Sequence, residues 1–143
     1  VSVMRAHQRT VRPTARVEYT LPRTAVSAGR ARKLTTAFLT RPRPRLAQPT
    51  ADQVDDATLI ASELVANAVR HGRSGCRLRL QLGHGRVTVE VRDDSPGRPR
   101  IGVLDAESES GRGLAMVQQL AHSLEIVSTG FGGKTVRAVL AVR

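Results

Sequence analysis

The sequence predicts an α+β fold, a two-layer sandwich in which a mixed, mostly antiparallel sheet carries helices on one face. Three observations predict it. The elements follow the order β–α–α–β–β–α–β–β, so strands and helices do not alternate as a doubly wound dinucleotide fold requires. Neighbouring strands are joined by short glycine-containing turns, "GHG" and "GFGGK", which makes them hairpins. Most strands alternate apolar with polar residues, so one face of the sheet is to be covered and the other wetted.

Each element follows from its residues. "RVEYTLP" (16–22) alternates Val17, Tyr19 and Leu21 with Arg16, Glu18 and Thr20 and reads as a strand that Pro22 ends. From Val26 to Leu39, Ala28, Ala31, Leu34 and Phe38 recur at helical spacing. "TRPRPRLAQP" breaks that helix. A second helix is expected from about Ala51 to Arg70, with Thr50 as N-cap and Gly72 as stop. "CRLRLQL" places Leu78, Leu80 and Leu82 on one face, and "RVTVEVRD" returns with Val87, Val89 and Val91. Residues 94–110, rich in Pro, Gly, Ser and charge, form a long loop. A third helix from about Gly113 to Ala121 leads to the strands "SLEIVST" and "TVRAVLAV". Residues 1–15, basic and aperiodic, read as a flexible arm ahead of one domain, 16–143.

Composition narrows the class. A chain of 143 residues, 40% hydrophobic, buries a real core. With aromatics at 2%, that core is built from Ala, Val, Leu and Ile. No apolar run approaches the ~20 residues that span a bilayer, and no secretory segment follows the arm. The single cysteine, Cys76, cannot close an internal disulfide, which points to the cytoplasm, and no nearby base activates it as a nucleophile. The net charge of +11 is carried almost wholly by arginine. It is scattered, and no aromatics interleave to stack bases, so nucleic acid is disfavoured. The loop with Arg41, Arg43 and Arg45 suits an acidic protein partner.

The second helix carries the first functional signal. At about 100° per residue, Val54, Ala57, Ala61, Leu64, Val65 and Ala68 make one apolar stripe. Glu63, Asn67 and His71 fall on its flank, within a sector of about 80°. A polar row beside a core stripe is the wall of a cleft, or else a solvated boundary with His71 at a helix C-terminus. Asp93 continues the parity of Val87, Val89 and Val91 and points to the covered face, where a carboxylate needs a partner. It accepts only, so an N–H donor such as an adenine amino group satisfies it; the alternative is an Asp that caps the Ser-Pro-Gly turn. Gly111 and Gly113 stand where the long loop meets the third helix, and bare backbone there suits phosphate; the alternative is a flexible junction. Neither a phosphate loop ending in G-K-[ST] nor a strand–GxGxxG–helix unit is present.

Together "ELVANAVRHG", "DDSPG", "GRGLAMV" and "GGKTV" resemble, in order and spacing, the GHKL (Bergerat) ATPase superfamily. The resemblance covers residues 16–142 and is greatest to the compact anti-sigma-factor branch of serine kinases, similar to SpoIIAB and RsbW. It implies a Bergerat-type sandwich that binds ATP and Mg²⁺. By the resemblance, Asn67 is the Mg²⁺ ligand and Glu63 the general base. Asp93 accepts from the adenine amino group and Gly97 shapes the base pocket. Gly111 and Gly113, with Arg112 and Leu114 in the same segment, face the phosphates. His71 closes the nucleotide-binding row, and residues 98–110 are the ATP lid; charge and position, not the resemblance, put Arg70 and Arg112 near phosphate. Thr135 takes the place of a threonine near adenine, although its parity opposes Val136, Ala138, Leu140 and Val142. Ser95 departs from the pattern, standing where a glycine is usual.

The function implied is a cytoplasmic serine/threonine protein kinase that phosphorylates an anti-sigma-factor antagonist and sequesters a sigma factor, with homodimers expected and no membrane partner. Two other functions use the same residues: a non-catalytic nucleotide-binding switch, and a basic nucleic-acid-associated protein with a degenerate pocket.

Overall fold

Alternation lays the strands into one sheet, and the computed structural model, which describes residues 13–95, 109–128 and 132–142, gives its register. The strands are β1 (Thr14–Leu21), β2 (Cys76–Gly83), β3 (Arg86–Asp93), β4 (Ser123–Ser128) and β5 (Lys134–Ala141). They lie in the order β1-β2-β3-β5-β4. All four pairings are antiparallel, so the mixed sheet expected from sequence is uniform among the described strands. The β2–β3 hairpin turns through His84 and Gly85, both at positive φ (55° and 69°), the geometry that matches strand twist.

Register makes rows across the covered face. Val17, Leu80, Val89, Ala138 and Leu124 form one; Tyr19, Leu78, Val91, Val136 and Ile126 form the next. Leu78, Leu80 and Val89 are completely buried. At the end of the face the chemistry changes. Asp93 pairs with Lys134 in register, and Cys76 begins the neighbouring strand.

The helices are α1 (Ser27–Thr40), α2 (Ala51–His71) and α3 (Glu109–Leu120). α2 touches β2, β3 and β5, and both other helices pack against it. All six residues of its predicted stripe are buried, with Ile60 beside them; each large aliphatic side chain so placed contributes about 1.5–3 kcal/mol. A capping box starts α2. Thr50 Oγ1 accepts from the Gln53 amide at 3.2 Å, and Gln53 Oε1 accepts from the Thr50 amide at 2.7 Å. Gln53 Nε2 also donates to the Ala141 carbonyl at 3.0 Å, tying the helix start to β5.

α2 ends at Gly72, but not through a left-handed cap, since its φ is −74°. Glycine is needed there for space: a Cβ would stand 2.6 Å from the Ala68 carbonyl oxygen and 3.3 Å from Asp94 Oδ1. Three of the boundaries that differ from the sequence reading bear on the site or the domain limits. β1 takes in Thr14 and Ala15, β5 begins at Lys134, and α3 begins at Glu109, four residues before Gly113. No helix among the described residues is long and apolar enough to cross a membrane.

Candidate functional site

Three elements meet at the Asp93 end of the sheet. α2 supplies Glu63, Asn67 and His71 from one flank. β3 delivers Asp93 and Asp94 as it leaves the sheet. The first turns of α3 close over α2 at Glu63, where a Cβ on Gly113 would come within 2.5 Å of Glu63 Oε2.

The flank of α2 is not the uniform boundary that its periodicity suggests. Asn67 is buried at 4% exposure, Glu63 is half-buried and His71 is exposed. α3 packs on α2, with Gly113 against Glu63. Both Asn67 amide atoms, Oδ1 and Nδ2, are buried without a hydrogen-bond partner among the described residues. A buried amide left unsatisfied costs about 1–3 kcal/mol, and native folds keep such groups rarely and for a reason. Glu63 likewise makes no hydrogen bond or ion pair among the described residues. Although the residue is exposed, partial desolvation of its ring, followed by the charges of Lys134 and Arg70, pushes the His71 imidazole below its ordinary range, against a smaller opposite pull from Asp93.

Of the two roles weighed for Asp93, the structure shows the turn cap, and the inward carboxylate lies beside a lysine. Its Oδ1 accepts from the Ser95 amide at 2.6 Å, the turn-capping contact. Its Oδ2 lies 3.7 Å from Lys134 Nζ, with the two side chains 2% and 3% exposed. Removing one partner of such a buried pair costs about 3–5 kcal/mol, because the other charge is stranded. Ser95 is buried, and its Oγ has no partner among the described residues. The hydroxyl that replaces the usual glycine therefore adds an unsatisfied polar atom to this pocket.

Asp94 points the other way and is structural. It accepts from the amides of Arg73 (2.7 Å) and Ser74 (3.2 Å) and from Ser74 Oγ (2.8 Å). These bonds hold its carboxyl below the usual range and pin the loop after α2 to the end of β3. Cys76 sits inside the same corner. Burial, with Asp93 nearby, pushes its thiol up to about 11, so it is a packed, inert residue.

The remaining sequence candidates divide. Leu114 is buried in the core on α3. Gly111, Arg112 and Gly113 lie inside the first turns of α3 rather than at the junction before it; the helix runs back to Glu109 and absorbs them. Gly113 thus serves close approach to Glu63. Thr135 pairs in register with Arg92 and Val127 on the open face, away from Asp93, as its parity indicates. Gly97 and residues 98–108 of the expected lid lie outside the described residues. In the basic loop, Arg43 folds back: its guanidinium stacks 4.4 Å over the Phe38 ring and donates to the Phe38 carbonyl, leaving Arg41 and Arg45 exposed.

Sequence reasoning missed Lys134. The signal was its even number, which puts it in the covered row with Val136, Ala138 and Leu140. A cleft of about 430 Å³ also opens at this rim, lined by Thr20, Ser74, Arg77, Arg92, Asp93 and Asp94. It includes neither Glu63 nor Asn67, and belongs to the outer side of the Asp93 row.

An antiparallel sheet covered on one face by helices, with an orphaned helix amide and a buried acid at one corner, defines an α+β sandwich of the histidine-kinase ATPase type. The chain belongs to that family: the profile of the histidine kinase-like ATPase domain matches residues 21–140. Among solved structures it is similar to the RsbU and RsbW domains of Rv1364c from Mycobacterium tuberculosis, with a TM-score of 0.66 and 25% identity. That likeness covers 92% of this chain and 34% of the other, so the chain spans about a third of that protein's length. No curated protein matches significantly. The GHKL resemblance and the α+β fold read from the sequence are both borne out.

Proposed function

We propose that this domain binds ATP with Mg²⁺ in the corner between α2, α3 and the Asp93 end of the sheet, and acts as a serine/threonine protein kinase in an anti-sigma-factor switch. Its protein substrate is a small antagonist, and its second partner a sigma factor. One observation carries the reading: a buried asparagine with both amide atoms unpartnered, on the wall shared by Glu63 and Gly113. A neutral amide oxygen suits a hard cation whose charge is already balanced by a triphosphate. The likeness to an RsbW domain supports the class of partner.

The residues divide the work. Asn67 would hold the metal, and Asp93 with Ser95 would hold the base. The first turns of α3, with Gly111, Arg112 and Gly113, would face the phosphates. ATP supplies a transferable phosphoryl group when bound. Glu63, half-buried and free of competing hydrogen bonds among the described residues, would accept the proton of the attacking hydroxyl. Phosphoryl transfer of this kind depends mainly on positioning and electrostatics, which a domain of this size provides.

Calorimetry and a labelled γ-phosphate assay test this together. Asn67→Ala is expected to lose Mg²⁺-dependent ATP binding, and Glu63→Ala to keep binding while abolishing transfer. Undiminished Mg²⁺-dependent binding by Asn67→Ala would refute the metal assignment. Transfer by Glu63→Ala would remove the base. The absence of any described group orienting Glu63 favours one second reading, a nucleotide-gated switch without catalysis. Wild-type protein that binds ATP yet labels no antagonist would support it.

A further inference from the structure

Lys134 is the residue in this corner that neither the fold nor the family reading has used. Its side chain is 3% exposed, at the end of an apolar row. Lysine is almost never buried so fully without a partner, and its partner here is Asp93. Yet 3.7 Å between Nζ and Oδ2 is longer than an N–H···O hydrogen bond, which closes at about 2.7–3.2 Å. The ammonium makes no hydrogen bond among the described residues, which leaves its three donors without a described acceptor. The other Asp93 oxygen is closed by the Ser95 amide. One acceptor, Oδ2, and one donor, Nζ, therefore stand side by side in a buried corner, without a hydrogen bond between them.

We propose that Lys134 reads the nucleotide base jointly with Asp93, so that the pair, not the carboxylate alone, sets which base is accepted; this rests on the nucleotide reading above. A ligand edge that fits must present a donor beside an acceptor, in that order. Adenine does so, with its 6-amino group directed to Asp93 Oδ2 and its ring N1 to Lys134 Nζ. Guanine presents the reverse. In the same pose its O6 would meet the carboxylate and its N1–H the ammonium, so both contacts become repulsive. Thr135 cannot take this part, because it faces the other side of the sheet. Lys134 is thus a specificity residue for the base and takes no part in the transfer chemistry.

The test needs no variant to begin. Binding of ATP, 1-deaza-ATP and GTP to the full chain with Mg²⁺ is measured by calorimetry. 1-Deaza-ATP keeps the 6-amino group and lacks the N1 acceptor. A lost hydrogen bond to a charged group weakens binding by roughly 10- to 100-fold, so 1-deaza-ATP is expected to bind that much more weakly than ATP, and GTP more weakly still. Lys134→Met should bind ATP and 1-deaza-ATP alike. Equal wild-type affinity for ATP and 1-deaza-ATP overturns the role of Lys134 while leaving the ATP site intact. A wild-type chain that binds no nucleotide overturns the site and this inference with it. If Lys134→Met does not fold, the wild-type comparison alone decides.

Discussion

Gly113→Ala adds a single methyl where α3 meets Glu63. The new Cβ would stand 2.5 Å from Glu63 Oε2 and 3.5 Å from its Cδ. Two effects then oppose each other. Alanine in a helix interior is favoured over glycine by about 1 kcal/mol. Against that, the carboxylate must retreat by about 0.9 Å to reach ordinary contact near 3.4 Å. Glu63 is half-buried and makes no hydrogen bond or ion pair among the described residues, so a side-chain rotation suffices, costing about 0.5–1.5 kcal/mol. The two nearly cancel, and Tm should stay within about 4 °C of the parent. If Glu63 is the base proposed above, transfer should fall on the order of 100-fold, the cost of displacing a reacting group by about 1 Å. The assay pairs thermal unfolding with phosphoryl transfer and repeats the unfolding in the Glu63→Ala background. There the methyl meets no carboxylate, and the full gain of about 1 kcal/mol should appear, a coupling that a double-mutant cycle isolates. Equal stabilisation in both backgrounds, or full transfer by the single variant, would refute the claim that Gly113 exists to admit Glu63.

Three further predictions rest on separate contacts. Thr50→Ala breaks the capping box of α2 and should lower stability by about 1 kcal/mol, a fall of about 3–4 °C in Tm; an unchanged Tm would show that the box is idle. Cys76, with its thiol pushed up to about 11 from 9.0, should resist iodoacetamide at pH 8 until the chain is unfolded. Because the fold keeps the thiol neutral, that contribution is complete below about pH 9 and is lost as pH rises through about 11; urea midpoints of Cys76→Ala should therefore fall less steeply over that range. The His71 imidazole, lowered by burial, Lys134 and Arg70, should titrate by NMR below 6.5. Its contribution to stability is present above that value and is lost as pH falls through the folded-state midpoint. A midpoint at or above 6.5 would contradict the combined effect of partial desolvation and the nearby cations.

By itself the sequence determined the periodicities, and periodicity is local. Two-residue alternation set which side of each strand is covered, and the same parity aimed Asp93 inward and Thr135 outward. The 3.6-residue repeat of α2 put Glu63, Asn67 and His71 in one row, and Thr50 with Gln53 marked where the helix starts. The Gly72 stop was legible too, although its cause, the crowding of Ala68 and Asp94, was not. Tertiary packing decided what no local pattern carries. Which member of the α2 row is buried is set by the elements packed around the helix: Asn67 is buried while His71 stays exposed. Which charge meets Asp93 depends on β5 inserting between β3 and β4, a long-range pairing that places Lys134 beside it. A side chain's face follows from its own neighbours along the chain; its partner follows from the register between distant segments, and only the closed sheet fixes that.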